Sequence, residues 1–296
     1  MSSLRRIAKL WTPPIVADAL RSALRPAKPR LEGVRDFECQ GLKWRLDMSS
    51  NIAQQMHAAG VWERETTELI RDLVKPGMQA LSVGANFGYY ALQMARQVGD
   101  GGHVWAFEPT RHFREMLEHH RSINGLESRI TVVPYGLSDV ETTATIDISP
   151  QSASMHYSPQ ENRVGQEAIQ LKRLDDVAEG LGIARIDFIS IDIDGHEPAF
   201  LKGGRRVLSR DVPSIAMEFA QECLHYAGSD VREVAALLYE LGYEICSERT
   251  REPFANELAF LKECGNFHHY ANALAVKRRN DDRHAERRAD TVARHA

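Results

Sequence analysis

The chain has 296 residues, 43% of them apolar, enough to bury one large core or two small ones. No apolar run approaches the roughly 18 residues that a membrane span needs. The four cysteines lack any C-x-x-C spacing, so they read as reduced thiols of a cytoplasmic protein rather than a disulfide or zinc framework. The formal charge of −4 hides an asymmetry: residues 31–276 hold 23 basic against 36 acidic residues, a net of −13, while both ends are basic. An acidic body argues against a nucleic-acid partner.

Residues 1–30, interrupted by Pro13, Pro14, Pro26 and Pro29, read as an appended basic arm. The arm is either solvated or in peripheral contact with an anionic membrane surface. Together with the segment up to residue 59 it leads into a domain expected over 60–276. Residues 277–296 form a charged tail with almost nothing to bury, expected to be disordered.

Within the domain, Leu69, Ile70, Leu73 and Val74 make a helical stripe that Pro76 and Gly77 close. The strand "QALSV" follows, then a glycine turn and a helix to Val98. "HVWAF" is a second strand, and the next helix carries Phe113, Met116, Leu117 and His120 on one face before "NG" stops it. "ITVVPYGL", "IDFISIDI" and "SIAMEF" read as the third, fourth and fifth strands. A helix then starts at Asp230, with Glu233 completing a capping box, and ends at Gly242. "YEICS" and "NALAV" close the sheet as an antiparallel pair. Alternating strands and helices with right-handed crossovers give a doubly wound, mostly parallel, seven-stranded α/β sheet.

Ligands of such sheets sit beyond the carboxyl ends of the strands. The first strand runs from Ser82 into Gly84-Ala85-Asn86-Phe87-Gly88, which lacks the G-x-G-x-x-G spacing that admits a pyrophosphate. Asn86 tolerates a left-handed backbone but carries a side chain into that space, and Phe87 is expected to crowd it further. Glu108, followed by Pro109, ends the second strand, where a carboxylate accepts from both ribose hydroxyls and repels a ribose phosphate. Ser138 and Asp139, at the end of the third strand, are placed for an adenine edge. This set describes an adenosine with a small non-phosphate tail, as in S-adenosylmethionine, and it counts against an NAD-dependent oxidoreductase.

"VKPGMQALSVGANFGYYALQMARQVGDGGHVWAFEPT", "SINGL", "LKRLDDV" and "IDFISIDIDGHEPAFLKGG" together resemble the FkbM family of S-adenosylmethionine-dependent O-methyltransferases. The likeness runs from about Gly60 to Phe219, and more loosely to Val276. The resemblance implies a Rossmann-like class I methyltransferase fold. It also implies methylation of a hydroxyl on a saccharide, glycolipid or polyketide-type secondary metabolite. Two positions depart: family members usually carry an acid where Ser82 stands and a lysine where Ser190 stands. Loss of the acid implies weaker cofactor binding, and a degenerate cofactor-binding protein without activity is the alternative reading.

Methyl transfer to an alcohol needs the reactants held in line and a base for the hydroxyl proton. "IDIDGHEP" offers Asp192, Asp194, His196 and Glu197 just past a buried strand, and Glu218 ends the next one. Strand alternation puts Asp192 and Asp194 on one face. Asp192 meets the cofactor's amino-acid end or the acceptor oxygen, and Asp194 stands beside it. His196, with an ordinary pKa of roughly 6.5, suits a base. Glu197 and Glu218 orient that base or hold a sugar hydroxyl, although Glu197 also suits a helix cap. These carboxylates could hold a divalent cation, but no metal-ligand spacing specifies one. His119-His120 and His268-His269 read as surface or loop residues rather than ligands. Trp62 and Glu63, in "GVWERE", are weaker candidates for lining the entrance. A nucleic-acid methyltransferase would stack a flipped base on an aromatic after the fourth strand, and none is present.

Overall fold

The computed structural model describes residues 32–149, 152–155, 163–264 and 270–277. The arm at 1–30, most of the charged tail and His268-His269 lie outside them. The described chain opens with a hairpin, β1 (Val34–Cys39) and β2 (Leu42–Asp47), followed by α1 (Asn51–Ala59) and α2 (Arg64–Leu73). Then come β3 (Gln79–Val83), α3 (Tyr89–Val98), β4 (His103–Phe107), α4 (Arg111–Ile123) and β5 (Ile130–Val133). Four further strands follow: β6 (Gly136–Ser138), β7 (Thr142–Ile148), β8 (Ala153–Ser154) and β9 (Gly165–Arg173). The chain continues through α5 (Leu174–Gly180), β10 (Phe188–Ile191), α6 (Glu197–Gly203), α7 (Arg205–Asp211) and β11 (Ser214–Ala220). It closes with α8 (Gln221–Tyr226), α9 (Val231–Glu240), β12 (Tyr243–Ser247), α10 (Glu257–Cys264) and β13 (Tyr270–Lys277).

The main sheet has seven strands in the order β12-β13-β11-β10-β3-β4-β5. All neighbours from β11 to β5 are parallel, and β13 runs antiparallel to both β11 and β12. The chain winds from β3 outward to β5, then returns to place β10 on the other side of β3. That reversal opens a crevice between the carboxyl ends of β3 and β10. Alternate residues of the central strands serve two cores. Leu81, Val83, Ile189 and Ile191 join one, and Ala80, Ala106, Phe188 and Ala216 the other. Each parallel strand is buried on both faces, which is why these segments read as near-continuous apolar runs.

Four expectations change. The third strand stops at Val133, because Pro134 has no N–H for the ladder. The chain then leaves the sheet, and β6 joins a separate four-stranded sheet, β6-β9-β7-β8, that the sequence reading did not anticipate. The fourth strand ends at Ile191, and Asp194 sits in a left-handed turn at φ 49° rather than in the strand. Asp230 caps α9 by accepting from the backbone N–H groups of Arg232 and Glu233, but the reciprocal half of the capping box is absent. The Glu233 carboxylate instead accepts from Lys202 Nζ at 2.8 Å and Ser229 Oγ at 2.7 Å.

Residues 34–59 are packed into the domain. Trp44 and Met56 are fully buried in the same core as Leu92 and Leu117. His120, expected on a helix surface, is buried as well and ties this hairpin to the glycine turn. Its Nδ1 lies 2.8 Å from the Phe87 carbonyl, so Nδ1 donates and Nε2 accepts from the Arg45 N–H at 3.2 Å. Burial lowers its pKa, in keeping with that neutral tautomer.

Candidate active site

The crevice, about 520 Å³ of space that includes its open mouth, is lined by Glu108, Pro109, Asp192 and His196 and by Leu137 and Leu171 of the small sheet. Its floor is the Gly84 turn. A side chain at Gly84 would place Cβ 1.9 Å from the Asp192 carbonyl oxygen, and the residue has φ 74°. Glycine is required there because the ends of β3 and β10 meet backbone to backbone. Asn86 takes the left-handed conformation expected of it, at φ 50°.

Phe87 corrects the sequence reading. It turns away from the crevice into the core, edge-on to Trp44 and His120 with centroids 6.0 Å away in each case. It therefore crowds no ligand, and Ala85, also buried, serves the turn's backbone. Gly88 begins α3 at φ 101° and packs against Leu92 and Leu117, away from the crevice lining.

Glu108 is 4% exposed, with Oε2 accepting from Asn86 N at 2.8 Å and Oε1 from Thr110 N at 3.0 Å and Thr110 Oγ1 at 2.6 Å. Burial raises its pKa and these donors oppose that shift. A carboxylate has about four acceptor positions. Three are taken, so Glu108 retains room for about one further donor, not for two ribose hydroxyls on fresh lone pairs.

The other candidates divide into two groups. Ser138 is buried, lies 3.0 Å from His196 Nε2 and donates to Asp139 Oδ1 at 3.2 Å. His196 thus stands with Ser138 on the small-sheet side. The second group is Asp192, Asp194 and Glu218, whose carboxylate oxygens lie within 4.8 Å of one another. Asp192 is open to the crevice yet surrounded by protein, and its carboxyl is pushed up by that desolvation while a hydrogen bond from Glu218 opposes the shift. Glu218 is pushed up by burial and by Asp192, Asp194 and Glu63, so it holds a proton and donates it toward Asp192.

Glu197 belongs to neither group. It is 1% exposed, and Oε1 accepts from Gly195 N at 3.3 Å and Ile193 N at 3.4 Å, bracing the turn that carries Asp194. Oε2 has no partner among the described residues, and burial raises the carboxyl to about 7. Ser82 and Ser190 sit side by side, in register on β3 and β10, and both are buried on the α2–α3 face of the sheet.

Sequence reasoning offered Glu63 only as a weaker candidate for lining the entrance and did not single out Tyr90 or Asn272, its two hydrogen-bond partners here. Tyr90 OH donates to Glu63 Oε2 at 2.5 Å and Asn272 Nδ2 donates to the same oxygen at 3.3 Å. The only local signal was an acid directly before a helix.

Comparison with known proteins places residues 82–245, more than half of the chain, in the family described as the Methyltransferase FkbM domain. Methyltransferase sdnD of Sordaria araneosa is 24% identical over 200 residues, which cover 57% of this chain and 74% of that protein. A crystal structure of Methyltransferase FkbM from Methylobacillus flagellatus is 17% identical with a TM-score of 0.42, covering 71% of this chain but only half, 50%, of that one. An S-adenosylmethionine-dependent O-methyltransferase from Thermotoga maritima is 16% identical, with a TM-score of 0.43 and coverage of 83% and 79%. The strand order and crevice stand independently of those distant likenesses. With the family match across the sheet and its carboxylates, this chain belongs to the FkbM family of methyltransferases.

Proposed function

We propose that the crevice binds S-adenosylmethionine and that the protein transfers its methyl group to a hydroxyl of a saccharide, glycolipid or secondary metabolite. The observation that carries this reading is the gathering of Asp192, Asp194 and Glu218 beside the Gly84 turn, where β10 and β11 end. The residues suit the cofactor: an acid at Glu108 accepts a ribose hydroxyl and rejects a ribose phosphate, and Pro109, Leu137 and Ile193 offer apolar walls for a base. When bound, the cofactor supplies a methyl group activated by its sulfonium.

The protein's part is to align the acceptor and take its proton. Asp192 is the base, because Glu218 already donates to it and keeps it in place. With the cofactor held in the crevice as methyl donor, Asp192 would take the proton that the acceptor hydroxyl gives up on methylation. A proton shared between Asp192 and Glu218 relieves their repulsion without a divalent cation, so a chelator is expected to leave activity unchanged. His196 and Ser138 serve the nucleoside side. The cysteines Cys39, Cys223, Cys246 and Cys264 are buried and form no disulfide, which supports a cytoplasmic setting. No helix among the described residues is long and apolar enough to cross a membrane.

The test is calorimetry with S-adenosylhomocysteine, followed by transfer of labelled methyl to fractionated host glycans and lipids. Asp192→Asn is expected to lower turnover by roughly 10²–10⁴-fold, the range of general base catalysis, with cofactor affinity within a few-fold. Binding without any methyl transfer would favour the degenerate reading, and no binding would end both.

A further inference from the structure

We infer that Glu63 is a cofactor-binding residue: its carboxylate pairs with the ammonium of the cofactor's amino-acid end. This rests on the proposed cofactor but assigns a residue that neither the glycine turn nor the strand ends supply.

The geometry begins with the backbone. Glu63 occupies the position before α2 in a left-handed conformation, φ 39° and ψ 76°, that a residue with a Cβ adopts at a cost. An acid at a helix N-cap ordinarily turns its side chain onto the helix's own N–H groups. Glu63 makes no such bond. Its side chain points inward instead and is held by Tyr90 and Asn272, residues 27 and 209 positions away in sequence.

The surrounding chain is fixed by the same helix that the Gly84–Gly88 turn opens. Tyr89 OH accepts from Trp62 N at 3.1 Å, and Thr67 Oγ1 donates to the Trp62 carbonyl at 2.7 Å. The first two residues of α3, Tyr89 and Tyr90, therefore reach back to Trp62 and Glu63. The acid is anchored to the turn that forms the crevice floor. Both donors fall on Oε2, and Oε1 has no hydrogen bond among the described residues, so it is available to a ligand.

Charge then decides the ligand. Glu63 is faced by Asp192 beyond β10, Glu218 on β11, Glu248 beyond β12, Asn272 on β13 and Tyr90 on α3. None of these is a cation. Arg64, the adjacent base, lies 3.9 Å from Glu68 on its own helix. Burial and the neighbouring carboxylates raise Glu63 to about 7. A positive group placed at Oε1 relieves that repulsion, whereas an anionic one increases it. The turn itself offers Ser82, a hydroxyl buried in the strand, so the acid must come from elsewhere, and α2 delivers it.

The experiment compares two ligands by calorimetry: S-adenosylhomocysteine, and 5′-methylthioadenosine, which keeps the nucleoside and sulfur but lacks the amino-acid end. Glu63→Gln is expected to weaken S-adenosylhomocysteine about tenfold, the scale of one charge-assisted hydrogen bond, with methylthioadenosine within twofold. Wild-type affinity for S-adenosylhomocysteine should rise between pH 6 and 8 as Glu63 loses its proton. That rise should be absent in Glu63→Gln and shifted to higher pH in Tyr90→Phe, which removes the bond that lowers the Glu63 pKa. An equal loss for both ligands, or no loss for either, overturns the assignment while leaving the crevice as the cofactor site. If the wild-type protein binds neither ligand, the proposed cofactor fails and this assignment with it.

Discussion

Gly84, Glu197 and Glu63 each hold an energetic position that a substitution exposes. Gly84→Ala drives a methyl group into the Asp192 carbonyl at a positive φ, and an expected loss of about 2–4 kcal/mol is readable by denaturant unfolding. Glu197 acts through pH. Its folded carboxyl, near 7, lies above the ordinary value of about 4.3, so the folded state binds the proton more tightly than the unfolded state does. Its contribution to stability is therefore fully present below about pH 4 and is lost as the pH climbs to about 7. Glu197→Gln keeps the oxygen that braces Gly195 and removes the buried charge. At pH 8 it should be more stable than the wild type by about 1–3 kcal/mol, a gap that closes at pH 5 in thermal melts. Residue-level features read well from sequence where they are local: the left-handed Asn86, the acid ending β4, and the carboxylates after β10. They were hidden where partners are distant. Phe87 looked like a ligand contact because nothing local shows Trp44 and His120 waiting behind it. The Glu63–Asn272 bond joins the two ends of the domain.

Among the elements, the four-stranded sheet was the largest omission. Its strands β7 and β9 are mostly exposed, rich in Thr, Gln and Glu, and bury only a narrow stripe of Ile146, Ile169 and Leu171. Such strands give a weak alternation signal. Pro134 was visible, but its effect on the third strand depends on the ladder that it interrupts. The small sheet lines the crevice with Leu137, Ile169 and Leu171, and Leu171→Ala tests what that lining does. That substitution should cost about 2–4 kcal/mol in stability and weaken methylthioadenosine binding several-fold. A wall with no part in nucleoside binding would show the stability loss alone.

For the whole molecule, the alternation of helices and apolar strands was enough to foresee the seven-stranded sheet, because burial on both faces leaves long apolar runs that few other folds need. The β1–β2 hairpin was not foreseen, since its support of the glycine turn runs through Trp44, His120 and Phe87 rather than along the chain. Trp44→Ala should cost about 3–5 kcal/mol and loosen the turn from behind. A chain beginning at residue 60 should fold poorly for the same reason.

The carboxylates at the mouth of β10 and β11 also bear on how a reaction cycle ends. Donating the methyl group turns a positively charged sulfur into a neutral thioether, and Asp192, having taken the hydroxyl proton, loses its charge in the same step. Attraction present on entry is thus weaker on exit. The spent nucleoside should leave readily, with a dissociation constant above that of the loaded form and only mild product inhibition. Raising the ionic strength should narrow the difference between the two.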